Sequence, residues 1–153
     1  MSRTDRASLL IHVDAARVYA ALTDEEALVT WLPPQGMTGE FERFDMRQGG
    51  SYRLLLRYDD ASGAPGKTSA DSDVSEVRIP VLVPGEMMVW EVDFDSDNPA
   101  FHGTMRMEWR LDSTEHGTEV AVTAYQVPEG ISARDHAAGL TSSLANLAAW
   151  LEP

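Results

Sequence analysis

Apolar and polar residues alternate along most of this chain, and the places where the alternation breaks divide it into elements. Ala7, Leu9, Ile11 and Val13 share a parity, the mark of a strand with one covered face. Asp14 then stands as the N-cap of a short helix, AARVYAAL. Thr23 and Glu26 have the spacing of a capping box, opening a second short helix at Thr23 or Asp24 that stops before Pro33 and Pro34. From Gly39 the period is two again: GEFERFD, the Gly49-Gly50 turn, then Tyr52, Leu54, Leu56 and Tyr58 alternating with Arg53, Leu55 and Arg57. This reads as a hairpin.

Residues 59–73, DDASGAPGKTSADSD, are polar and turn-rich and read as a loop. Val77, Ile79, Val81 and Val83 follow as a fourth strand, in which Pro80 requires an edge position or a bulge. After Pro84-Gly85, Met88, Trp90, Val92 and Phe94 oppose Glu91, Asp93 and Asp95, and SDNPAFH is the next loop. In GTMRMEWRL, residues 103 to 111, Met105, Met107, Trp109 and Leu111 stand against Thr104, Arg106, Glu108 and Arg110. Beyond His116-Gly117, Val120, Val122 and Ala124 complete an antiparallel meander of six strands.

The last change of period is helical. Ser132 is a cap with Asp135 three residues on, and His136, Leu140, Leu144, Leu147 and Leu151 form one stripe. A helix of about twenty residues is about 30 Å long, enough to cover the inward parities of the strands. The pattern predicts an α+β fold: an antiparallel sheet of about seven strands, two short helices after the first strand and a long C-terminal helix. The length predicts a single domain, 1–153.

Charge narrows the function classes. With 25 acidic and 12 basic side chains the formal net charge is −13, which argues against nucleic acid, anionic headgroups and phosphate-rich substrates as partners. There is no cysteine, so disulfides, thiolate nucleophiles and cysteine zinc sites are excluded. The N-terminal MSRTDRASLL has too short an apolar run for a signal h-region or a membrane span. The expectation is a soluble, cytoplasmic protein with no membrane insertion.

Several segments could carry chemistry. Gly66, Lys67 and Thr68 match the end of a phosphate-binding loop, but position 61 is alanine and no helix pattern follows. The four histidines, at 12, 102, 116 and 136, lack zinc-helix spacing, and no serine sits in a nucleophile elbow. No metal or cofactor is indicated. His12 is expected outside and His116 in a turn. His136, on the apolar stripe, should point at the sheet, either as a packed histidine or as a proton carrier or ligand partner. Tyr52 and Tyr58 share the inward parity, and no inward-facing carboxylate pair is visible on any strand. Met88, Trp90, Met105, Met107 and Trp109 suit an ordinary core or an adaptable binding surface. Trp31, beside Pro33 and Pro34, is either a contact surface or packed against the sheet end.

Five segments in this order, VDAARVYAALTDEEALVTWLPP, FDMRQGGSY, VPGEMMVWEVDF, GTEVAVTAY and HAAGLTSSLANLAAWLE, resemble the START-like or SRPBCC superfamily. Within it, the chain is similar to the branch named for homology to the activator of the heat-shock protein 90 ATPase. The resemblance implies a helix-grip fold, with a curved sheet wrapped on the C-terminal helix and a cavity between them. It marks Asp45, Arg47, Gly49 and Gly50 as family hallmarks; physically the glycines permit a tight turn and Asp45 with Arg47 would satisfy buried polar groups. Leu140 after Gly139, where relatives commonly carry Trp, and the proline in the fourth strand would reshape the cavity.

The function so implied is binding of a small hydrophobic or aromatic molecule without catalysis, by Tyr52, Leu54, Tyr58, Met88, Trp90, Met105, Met107, Trp109, His136 and Leu140. Two alternatives stay open: a polyketide cyclase or hydratase-like enzyme, with His136 as candidate catalytic residue, and a co-chaperone-like interaction domain with a chaperone partner. Monomer and homodimer are both compatible with the pattern.

Overall fold

A computed structural model describes residues 3–34, 36–58 and 72–152. In chain order its elements are β1 (Arg3–Ile11), α1 (Ala15–Thr23), α2 (Glu25–Trp31), β2 (Met37–Asp45), β3 (Ser51–Tyr58), β4 (Ser72–Val83), β5 (Met87–Phe94), β6 (Thr104–Thr114), β7 (Gly117–Val127) and α3 (Ala133–Leu151), with a single 3-10 turn at Pro99–Phe101. The strands form one antiparallel sheet in the order β1-β7-β6-β5-β4-β3-β2. The meander expected from the periodicity is present, and β1 closes onto its last strand.

Capping explains where the helices begin. Asp14 accepts from the Arg17 amide at 2.9 Å, and Ser132 accepts from the Asp135 amide at 3.0 Å. At α2 the cap is Asp24, which accepts from the Ala27 amide at 2.9 Å. Thr23 is not the cap of a capping box: its hydroxyl donates back to the Tyr19 carbonyl at 2.9 Å. Thr23 is thus the last residue of α1, satisfying that helix's end.

Three bulges bend the sheet. Register shifts fall between Phe41 and Arg43 in β2, between Arg78 and Val81 in β4, and where Arg3 and Asp5 of β1 face Val127 and Ala124 of β7. An extra residue on one strand bends it and increases local twist, and three such sites curve the sheet toward α3. Pro80 occupies the β4 bulge, on an internal strand. The bulge also changes which side chains face inward: past it, Leu82 packs on the core in place of Val81 and Val83. At the β7 bulge Gln126 takes a left-handed backbone, φ 56°.

The concave face is covered by all three helices. Leu140, Leu144, Leu147 and Leu151 of α3 are buried as the stripe predicts, each contributing about 1.5–3 kcal/mol by removal from water. Trp31 is fully buried rather than exposed; its indole donates to the Ala21 carbonyl at 2.8 Å and its ring meets that of Trp109 edge-on at 5.6 Å. Ser143 donates to the Leu32 carbonyl at 2.7 Å and Asn146 to that of Pro33 at 3.0 Å. These bonds tie the chain leaving α2 to the middle of α3.

The convex face is a lattice of arginine and carboxylate. Arg53 reaches Asp95 at 2.9 Å and also Glu42 and Glu76, Arg43 pairs with Glu76, and Arg78 with Asp93 at 2.6 Å. Asp45 and Arg47 form a 3.0 Å ion pair that is largely solvent-exposed, so they do not serve buried groups as expected. Gly50 is the residue that the turn depends on: a Cβ there would lie 2.2 Å from the Asp45 carbonyl oxygen.

Candidate functional site

Between the concave face and the N-terminal half of α3 the packing opens into a hollow of about 700 Å³. Its floor is aromatic. Tyr52 meets Trp90 edge-on at 5.4 Å, and Trp90 meets Trp109 at 5.2 Å. Leu54, Val77, Val92, Met105 and Met107 continue the apolar wall, and Leu140 closes it from the helix side. The pattern follows from strand geometry, since alternate residues along part of each of β3 to β6 face this space. The indole N–H groups of Trp90 and Trp109 are buried with no acceptor among the described residues.

Polar groups are set among these apolar ones. Tyr58, Asp73, Ser75, Asp135, His136 and Ser143 all line it, and Asp73 is only 2% exposed. Burial pushes the Tyr52 hydroxyl well above its ordinary range, which keeps it a neutral phenol. Tyr58 is raised as well, first by burial and then by the negative charges of Asp73 and Asp135. Among the described residues the lining contains no lysine or arginine.

His136 sits one turn into α3, and its Nδ1 lies 2.7 Å from Oδ2 of Asp5 on β1. Their side chains are 13% and 9% exposed. Arg3 donates to the same carboxylate through Nε at 3.2 Å and Nη2 at 3.0 Å. Burial alone would raise the Asp5 carboxyl; the hydrogen bonds from His136 and Arg3, with their charges, outweigh it and hold the group below the ordinary carboxylate range.

Of the ten residues expected at a ligand site, Tyr52, Leu54, Tyr58, Trp90, Met105, Met107, Trp109, His136 and Leu140 line the hollow. Met88 does not: it is fully buried in packed core. No inward-facing carboxylate pair was expected on any strand; single carboxylates do stand on inward rows, Asp5 on β1 and Asp73 on β4. Both were legible by extending a parity backward. Asp5 continues the row Ala7, Leu9, Ile11, and Asp73 with Ser75 continues the row Val77, Ile79 into what had read as loop.

The remaining candidates stand apart from the hollow. His12 is largely exposed and pairs with Glu152 at 2.9 Å, His116 is exposed in a turn, and His102 contacts the Ser96 carbonyl. Gly66, Lys67 and Thr68 lie outside the described residues. Among the described residues no group of three or more His, Asp or Glu is placed to hold a metal ion. Nor is any helix there long and apolar enough to cross a membrane.

Comparison with known proteins adds to this geometry. The sequence model of the Activator of Hsp90 ATPase homolog 1-like protein family matches residues 12–152. A crystal structure of a protein from Chromobacterium violaceum has 29% sequence identity and a TM-score of 0.85, covering 99% of both chains. An AHSA1 protein from Silicibacter pomeroyi has 16% identity and a TM-score of 0.78 over 97% of each chain. DynU16, described as a putative protein in the dynemicin biosynthetic locus, has 18% identity and a TM-score of 0.69, covering 97% of this chain and 47% of its own. No curated protein matches the chain.

Proposed function

Because the chain belongs to the Activator of Hsp90 ATPase homolog 1-like family, we propose that its helix-grip hollow binds one small, largely apolar or aromatic molecule with a neutral or hydrogen-donating polar end. The observation that carries this reading is the hollow itself, about 700 Å³ with an aromatic floor and polar groups in its lining. That size falls within the roughly 300–1,000 Å³ of small-molecule sites. Apolar burial supplies the affinity, at about 25 cal/mol per Å², and Tyr58, Ser75 and His136 orient the polar end. Two carboxylates and no lysine or arginine on the described lining disfavour an anionic ligand through unscreened repulsion in a partly dry site.

Native mass spectrometry of gently purified protein tests the reading, with extraction of any retained small molecule. A stoichiometric apolar adduct is expected in the wild type. In Leu140→Trp, which fills the hollow from the helix side, the adduct is expected to be lost while the fold is kept. Retention of the same adduct by a folded Leu140→Trp protein would remove the hollow as the binding site.

A further inference from the structure

We propose that the hollow fills and empties through a fixed mouth between the first half of α3 and the chain joining α2 to β2, with Gly139 as its sill. The inference rests on the binding reading and adds the route a ligand takes. Of the described residues that line the hollow, Gly36, Asp135 and Ala138 are the ones exposed to water. A residue that borders both the hollow and the solvent marks the boundary between them. Asp135 and Ala138 belong to the first two turns of α3, and Gly36 to the joining chain just before β2. The two segments face one another, since the Cγ of Pro34 lies 3.9 Å from where a Cβ on Gly139 would stand.

Small residues frame this gap. Ala138, Gly139 and Ser142 stand on the helix side, and Pro34, Gly36 and Met37 on the joining chain. A glycine well inside a helix is disfavoured, only proline being worse there, so Gly139 needs a reason. Packing does not supply one, because a Cβ at Gly139 would meet just the Pro34 ring, at ordinary contact distance. The missing side chain therefore leaves clearance at the rim. The width of that clearance is set by hydrogen bonds one to two turns further along α3, where Ser143 donates to the Leu32 carbonyl at 2.7 Å and Asn146 to that of Pro33 at 3.0 Å. The Met37 amide closes the joining chain on the Pro34 carbonyl at 3.0 Å. Both rims are thus held in place beside the opening, and exchange needs no unwinding of α3. Such a mouth suits slim, flat, neutral molecules, while the Asp135 carboxylate at its edge slows the approach of anions. Position 139 then sets the size that enters.

Stopped-flow fluorescence with N-phenylnaphthylamine, a neutral aromatic amine that brightens in apolar surroundings, gives the association and dissociation rates. The chain has no cysteine, so a single introduced one can be labelled uniquely. Gly139→Leu, and Ala138→Cys carrying a polyethylene glycol maleimide, are expected to slow both rates by the same factor, at least about tenfold. The same label on Ala145→Cys, exposed on α3 and away from the hollow, should leave both rates as in the wild type. Gly139→Ala should raise the ligand-free Tm by roughly 2–4 °C, as helix propensity alone requires. Should Gly139→Leu fail to fold, the labelled Ala138→Cys protein decides, its substitution being exposed. Wild-type rates in that labelled protein would put the route elsewhere and overturn the mouth while leaving the binding reading in place. Faster dissociation with unchanged association in Gly139→Leu would make position 139 part of the binding surface, which also overturns it. So would a lower Tm in Gly139→Ala, since the glycine would then serve packing. No response of the probe to the unaltered protein would overturn the binding reading, and the mouth with it.

Discussion

Two methionines on neighbouring strands distinguish a filled core from a hollow. Met88 and Met107 both face inward, and each lies directly across from a tryptophan, Met88 from Trp109 and Met107 from Trp90. Met88 is 0% exposed and surrounded by packed atoms; Met107 is 8% exposed and forms part of the cavity wall. Truncating Met88 to alanine opens a new void in dense packing, a change that costs about 2–5 kcal/mol. At Met107 the lost atoms already face the hollow on one side, so only part of their contacts disappears and the cost falls to about 1–2 kcal/mol. For a chain of this size each kcal/mol moves Tm by roughly 2–4 °C, so Met88→Ala should melt roughly 4–20 °C lower and Met107→Ala roughly 2–8 °C lower. Scanning calorimetry of the ligand-free proteins, with urea denaturation to confirm equal m-values, measures both. Equal losses, or a larger loss at Met107, would mean that Met107 is packed on all sides and that the hollow has been misjudged.

Three further outcomes follow from particular contacts. Because the Asp5 carboxyl is held low in the folded protein, its contribution is present above the unfolded carboxylate range and is lost as pH falls through the lower folded value; Tm measured from neutral to acid pH should therefore fall less steeply in Asp5→Asn than in the wild type. Ser132→Ala removes the cap of α3 and should cost about 0.5–2 kcal/mol in urea denaturation. Gly50→Ala, which drives a Cβ into the Asp45 carbonyl, should destabilise more than Gly49→Ala, where φ is 84° but the space is open; the latter should cost about 1–2 kcal/mol by the same assay.

Most of the architecture was written in parity. The alternation of Met105, Met107, Trp109 and Leu111 gave a strand and its buried face, and the stripe from His136 to Leu151 gave the helix that covers it. Periodicity loses its hold where the backbone departs from regular geometry. Pro80 signalled the β4 bulge, but its effect, exchanging Val81 for Leu82 on the inner face, depends on how many residues the bulge inserts. Polar residues hide in the same way. Asp5 and Asp73 lie on inward rows, yet a carboxylate at a strand end reads as solvent-facing because burial of a charge is ordinarily so costly. Asp5 escapes that cost through His136, 131 residues away, a contact that only the folded chain creates. The hollow was the least legible feature, since Met88 and Met107 have the same parity rule and residue type and differ only in how nearby side chains fill space.

The bulges that curve the sheet also bear on self-association. Among the described strands β1 and β2 form the two edges, and an unprotected edge is a template on which a second chain can add a strand. At one edge the extra residue in β2 falls at Glu42, flanked by exposed Glu40 and Arg43, so a partner strand would meet a broken hydrogen-bond ladder and charged side chains. At the other, the β7 bulge bends the sheet beneath the start of β1, where Thr4, Arg6 and Ser8 face water. The curvature that opens the hollow thereby makes both edges poor docking strips for a second copy of this chain.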